Sequence, residues 1–177
     1  MTIYELGEKK PEIASTAYVH PKASVIGDVK IGERVFVAPM ASIRGDRGRI
    51  EIGDETNVQD GAVIHSETSF VTRIGKRVNI GHNATIHAEL VEDNAAIGMG
   101  AVLMLGSKVA EGVMIANSAL LHNKTKTEPY KIYAGVPAKY MRDINPNGKA
   151  RKAIDDYLDT YVANTRLYKK DLRTVDE

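Results

Sequence analysis

Residues 74–87 read "IGKRVNIGHNATIH", and within them Ile74, Ile80 and Ile86 recur every six positions. Neither regular element explains that spacing: a half-buried strand repeats every two residues and an amphipathic helix every 3.6. Tracing the register outward gives Val19, Val25, Ile31, Val37 and Ile43, then Ile52, Val58 and Ile64, then this stretch, then Val91, Ile97, Leu103, Val109, Ile115 and Leu121. Every position is Val, Ile or Leu. The register slips only between Ile43 and Ile52, Ile64 and Ile74, and Ile86 and Val91. Glycine often follows the aliphatic residue, as at Gly32, Gly53, Gly75, Gly81 and Gly98, and a small residue sits four positions after it, as at Ala23, Ala41, Ala62, Ala84, Ala101 and Ala119.

This is the pattern of a mainly β protein, a parallel β-helix of hexapeptide repeats. Each hexad supplies one short strand and one turn, three hexads close a triangular coil, and the repeated aliphatic residue points inward. About six coils are expected, with Gly or Asn read as permitting the turns. A small β-sandwich would instead alternate in twos, with turns every 8–12 residues.

The chain divides accordingly into a lead-in at 1–18, the repeat region at 19–127, a transition at 128–148 rich in Pro, Gly and Asn, and a C-terminal α-helix at 149–177. In that helix Ile154, Leu158, Tyr161, Leu167, Tyr168 and Leu172, flanked by Tyr157 and Val162, repeat at helical spacing. The face is expected to pack on the barrel or on a neighbouring subunit, since Asp155, Asp156 and Asp159 on the other side argue against a membrane role.

The 177 residues carry 24 basic and 23 acidic side chains, a formal charge of +1, so there is no strong field for nucleic acid or an anionic membrane. No apolar run reaches signal-peptide or membrane-span form, and the expected location is cytoplasmic. With no cysteine in the chain, histidines and carboxylates are left as metal ligands.

The register then decides which polar side chains meet. Ile43, Ile64 and Ile86 are the fifth, eighth and eleventh repeats, so they share one face, and the residues after them, Arg44, His65 and His87, form one outward column. His65 and His87 are close enough to share an ion. His82 follows the tenth repeat by two positions, lies on a different face and stacks on Asp60, beside Gln59. It joins the other two only if another copy of the chain brings it, and a closed cyclic trimer would make three such sites. His20 and His122 are expected to be structural.

With "IRGD" (43–46), "NVQDG" (57–61), "IH" (64–65) and "IGHNATIH" (80–87), nearly the whole chain resembles the gamma-class carbonic anhydrase family. The helix and the "GVPAK" segment (135–139) resemble the branch found in carnitine and phenylacetate operons. The resemblance implies a left-handed helix, a homotrimer, and zinc or iron(II) held by His65 and His87 of one subunit and His82 of the next. It implies that Arg44 and Asp46 form a subunit-bridging ion pair, that Gln59 positions a metal-bound nucleophile, and that Asn57 and Asp60 belong to the surrounding hydrogen bonds. Three neutral imidazoles leave the metal's charge intact and an open position for water, so hydroxide can form near neutral pH and attack carbon dioxide to give bicarbonate. The segment after His65 lacks the long acidic loop of the best-known members. Glu67 and Glu89 are the nearby carboxylates, and both read as solvated surface residues. Two other functions stay open: an acyl-CoA thioesterase or acyltransferase, and a metal-binding scaffold with little turnover.

Overall fold

The computed structural model describes residues 2–175, so the outermost ends of the two terminal segments, 1 and 176–177, lie outside it. The chain winds into a left-handed parallel β-helix of about seven turns with one C-terminal helix. Strands are short, two residues in cases such as Asn79–Ile80 and Thr85–Ile86. They stack in parallel register, coil upon coil: Ile43 on Ile64, Ile64 on Ile86, Ile86 on Leu103 and Leu103 on Leu121. A second column runs Val19, Val37, Val58, Ile80, Ile97 and Ile115, and a third runs Ile13, Ile31, Ile52, Ile74, Val91 and Val109.

All three columns from Val25 onward point into one continuous apolar core, with Ala23, Ala41, Ala62, Ala84, Ala101 and Ala119 filling one corner. Burying each Ile or Leu is worth roughly 1.5–3 kcal/mol, and repetition makes the sum large although no strand is long.

The coil count exceeds the expected six because winding starts inside the lead-in: Thr2–Tyr4 pairs with Ser24–Ile26, and Glu12–Ile13 pairs with Lys30–Ile31. Those two short strands carry Ile3 and Ile13; Ile13 is six residues before Val19, but a hairpin-like excursion with Leu6 bridged to Lys9 stretches the step from Ile3 to Ile13 to ten. The slip between Ile43 and Ile52 also has a structural origin. Strand Ser42–Ile52 stays extended around a corner, pairing with Val63–His65 on one side of the bend and Thr72–Ile74 on the other.

The turn position, three residues after the aliphatic one, takes left-handed backbone; Gly61, Gly100, Gly112, Asn83 and Asn94 fill it as expected, but Arg34, Glu55 and Arg77 adopt it too, with φ of 53°, 59° and 51°. The glycines directly after the aliphatic residues serve a different end. Gly53 and Gly75 have ordinary φ, and their role is close approach: a Cβ on Gly53 would sit 2.6 Å from the carbonyl carbon of Gly75 in the next coil.

Helix α1, Lys149–Asp171, lies along the face of the Val19–Ile115 column. Tyr161 and Tyr168 pack against Tyr18 and Phe36, and Leu158 is fully buried. The buried stripe is Arg151, Leu158 and Thr165, whereas Tyr157, Leu167 and Leu172 of the expected apolar face are exposed. The helix start has no side-chain cap and no acidic residue in its first turn. Arg151 anchors it, donating to the Asn94 carbonyl at 2.5 Å and pairing with Asp155. Among the described residues, no helix is long and apolar enough to cross a membrane.

Candidate functional site

His65 ends strand Val63–His65 and His87 follows strand Thr85–Ile86, so the stacking of Ile64 on Ile86 carries both imidazoles outward, one above the other. Their ring centroids are 5.1 Å apart, close to the ~4.8 Å spacing of neighbouring strands. Arg44 is in register with His65, as the column requires. His122 continues the column on the coil bearing Leu121, two coils from His87, and its Nδ1 accepts from the Lys124 amide as a turn residue does. His20 accepts likewise from the Lys22 amide.

His82 lies on the neighbouring face, in the corner after strand Asn79–Ile80. Its Nδ1 is 3.0 Å from Asp60 Oδ2, the stacking partner expected. That pairing leaves Nε2 as the free ring nitrogen, since a histidine bound through one nitrogen presents the other. A single chain therefore brings His65 and His87 together and keeps His82 apart.

Several polar groups are organised around these three. Asp46 pairs with Arg44 at 2.5 Å and lies 2.9 Å from His65 Nε2. Within one chain, Arg44 and Asp46 pair with each other. Burial would raise the Asp46 carboxyl, but the hydrogen bonds from Arg44 and His65 outweigh it and hold the group below the usual carboxylate range. Burial, and then the charge of His65, lowers the pKa of His87, which favours the neutral imidazole that can act as a ligand.

Gln59 is buried, and its amide nitrogen donates to Asn57 Oδ1 at 2.9 Å and to Asn79 Oδ1 at 2.8 Å. Both N–H donors are spent, so what the side chain still offers is a carbonyl acceptor. Asn79 was not among the residues expected, although its register with Asn57 in the adjacent coil is a signal the repeat itself contains.

Glu67 was read as a surface residue. The structure brings it beside the histidines instead, with its carboxylate 3.6 Å from His87 Nε2 and only 21% of the side chain exposed. It sits in the loop between repeats, where no register reaches. Glu89 does stay away, paired with Lys108 at 2.9 Å.

These residues fit a divalent transition-metal ion. His65, Glu67 and His87 offer ligand atoms that all lie within 4.8 Å of one another. The Nε2 of His87 is buried without a hydrogen-bond partner, an expense that an ion there would remove.

The fold and the stacked histidines define a hexapeptide-repeat protein of the left-handed β-helix class. No protein-family model matches the chain. The carnitine operon protein CaiE of Escherichia coli K12 is 33% identical over 168 residues, 95% of this chain and 81% of CaiE. Gamma carbonic anhydrase 2 of Arabidopsis thaliana mitochondria is 36% identical over 149 residues, covering 81% of this chain and 54% of the plant protein. A solved hexapeptide transferase family protein from Anaplasma phagocytophilum superposes with a TM-score of 0.88 at 33% identity, over 94% of this chain and 98% of that one. The chain belongs to the hexapeptide-repeat family that contains CaiE and the gamma carbonic anhydrases.

Proposed function

We propose that this protein is a metal-dependent carbonic anhydrase of the gamma type. It interconverts carbon dioxide and bicarbonate at sites shared between copies in a cyclic homotrimer. The observation that carries this reading is the division of the three histidines: His65 and His87 converge on one face, while His82 stands on the next face with its Nδ1 held by Asp60. A zinc or iron(II) ion bound by His65, His87 and His82 of a neighbouring copy would keep its full charge and lower the pKa of water toward ~7.

The chain's own groups have distinct tasks around that ion. Asp60 fixes the ring orientation and tautomer of His82, so that Nε2 faces the neighbour. Asp46 and Arg44 compensate each other beside His65, so the carboxylate does not neutralise the ion outright. Gln59, on the same face as His82 and with both donors engaged by Asn57 and Asn79, accepts a hydrogen bond from the attacking water and so orients its lone pair. An amide suits that task because it does not compete for the proton.

A second reading, hydrolysis of an acyl thioester at the same centre, is favoured by one feature. A cavity of about 330 Å³ lies between α1 and the barrel, with apolar walls that include Met99, Met114 and Ile154, and it reaches Gln59. Stopped-flow hydration of carbon dioxide, on protein loaded anaerobically with iron(II) or with zinc, tests the first reading, with His82→Ala as the control. The expected outcome is hydration that this substitution abolishes. Equal rates in the two proteins would refute the three-histidine centre, and acyl-thioester hydrolysis by the wild type alone would favour the second reading.

A further inference from the structure

We propose that a single chain takes up a divalent metal ion through His65, His87 and Glu67, and that Glu67 yields its place to His82 of a neighbouring copy as subunits assemble. The inference rests on the shared three-histidine site above and adds a ligand to it.

The placement of Glu67 is built rather than incidental. Past the strand end at His65, Ser66 is fully buried, and its hydroxyl donates to the Phe70 carbonyl at 3.3 Å. Gly48 of the adjacent coil leaves no room for a side chain against the Glu67 carbonyl oxygen, so the two backbones lie in close contact. The carboxylate is thereby aimed at His87. Its 3.6 Å separation from His87 Nε2 is longer than a good hydrogen bond. It matches two ligands of one tetrahedral ion, which stand about 3.4 Å apart when each metal–ligand bond is about 2.1 Å. The His87 nitrogen is buried without a hydrogen bond, and His65 completes a group of three within 4.8 Å.

The carboxylate also has somewhere to go when displaced. Arg47 approaches Glu67 at 3.4 Å and is itself 60% exposed, a weak pairing that can release or recapture it. Charge gives the exchange a purpose. Two imidazoles and a carboxylate reduce the ion's charge to +1, a state suited to holding metal. Replacing the carboxylate by neutral His82 restores +2 and with it the stronger effect on bound water. On this account, loading does not need the neighbour, whereas reactivity does.

The test is cobalt(II) titration of metal-free, full-length protein, followed by equilibrium dialysis and by the visible bands that report coordination geometry. His82→Ala should still bind one cobalt per chain. Adding Glu67→Gln to it should weaken binding by more than about tenfold and change the spectrum. Adding Arg47→Gln to it instead should tighten binding by freeing the carboxylate. In the wild-type background Glu67→Gln should leave the assembled site's spectrum unchanged. Equal affinity in His82→Ala with and without Glu67→Gln, or no binding by His82→Ala, would overturn the role of Glu67 while leaving the three-histidine site standing. No cobalt uptake by the wild type would overturn both.

Discussion

At the residue scale, Gly53 and Gly75 mark where the coils touch. Replacing a glycine of ordinary φ by alanine usually stabilises a protein by about 0.4–1 kcal/mol through the unfolded chain. Here the added methyl of Gly53→Ala would meet backbone atoms of Gly75 that belong to the next coil and cannot swing aside. The expected result is a loss of roughly 1–3 kcal/mol in denaturant unfolding. A gain would mean that the coils have slack the packing does not suggest. The sequence made these glycines conspicuous but not their purpose, because spacing reports recurrence and not what lies across from it. Glu67 illustrates the complementary limit. His65, His87, Arg44, Asp60 and His82 sit at stated offsets from repeat positions, so their columns could be read directly. Glu67 lies in the loop that lengthens the step from Ile64 to Ile74, where no repeat offset applies, and only the fold shows its carboxylate beside His87.

At the element scale, α1 depends on the barrel for more than its apolar stripe. A ladder of charges runs from Arg34 to Glu55 at 2.5 Å, from Glu55 to Arg77 at 2.9 Å and from Arg77 to Asp159 at 3.0 Å, with Arg151 and Asp155 beside it. Three of these residues occupy left-handed backbone at one corner of successive coils, which stacks their side chains into the ladder. Hydrogen bonds from Arg34 and then Arg77 hold the Glu55 carboxyl below its ordinary range, and the bond from Arg151 does the same for Asp155. A carboxyl whose pKa is lower in the folded protein contributes stability that is complete above its unfolded pKa and is lost as pH falls through the folded one. Stability should therefore decline with acid across that window. Glu55→Gln should flatten the decline, measured as the unfolding midpoint followed by helical circular dichroism at several pH values; an unchanged slope would show that the ladder does not couple to stability. The helix itself was readable from its periodicity. Its buried side was less so: Arg151 and Thr165 face inward while Leu167 and Leu172 face out, and Arg151 is drawn in by the Asn94 carbonyl of the barrel, which periodicity does not report.

At the scale of the whole molecule, the six-residue period determined the architecture, since one aliphatic residue per hexad leaves a triangular coil as the way to bury them all. It determined the site's columns as well, because stacking is translation along a single axis. What it left open was the start of the first coil, where Ile3 stands ten residues before Ile13 and so outside the period, and the number of copies needed to complete the site. The central claim is that each metal centre takes His65 and His87 from one copy and His82 from the next.

Mixing subunits tests that claim most directly. A His82→Ala chain and a His65→Ala chain should each be inactive alone, yet they carry complementary halves of one interface. If the two are unfolded, combined in equal amounts and refolded with metal, three-quarters of the trimers contain both chains, and each of these regains one intact site of three. The account predicts recovery of about one quarter of the wild-type rate of carbon dioxide hydration. No recovery in mixtures shown by mass to contain mixed trimers would contradict it, because each site would then be the work of a single chain.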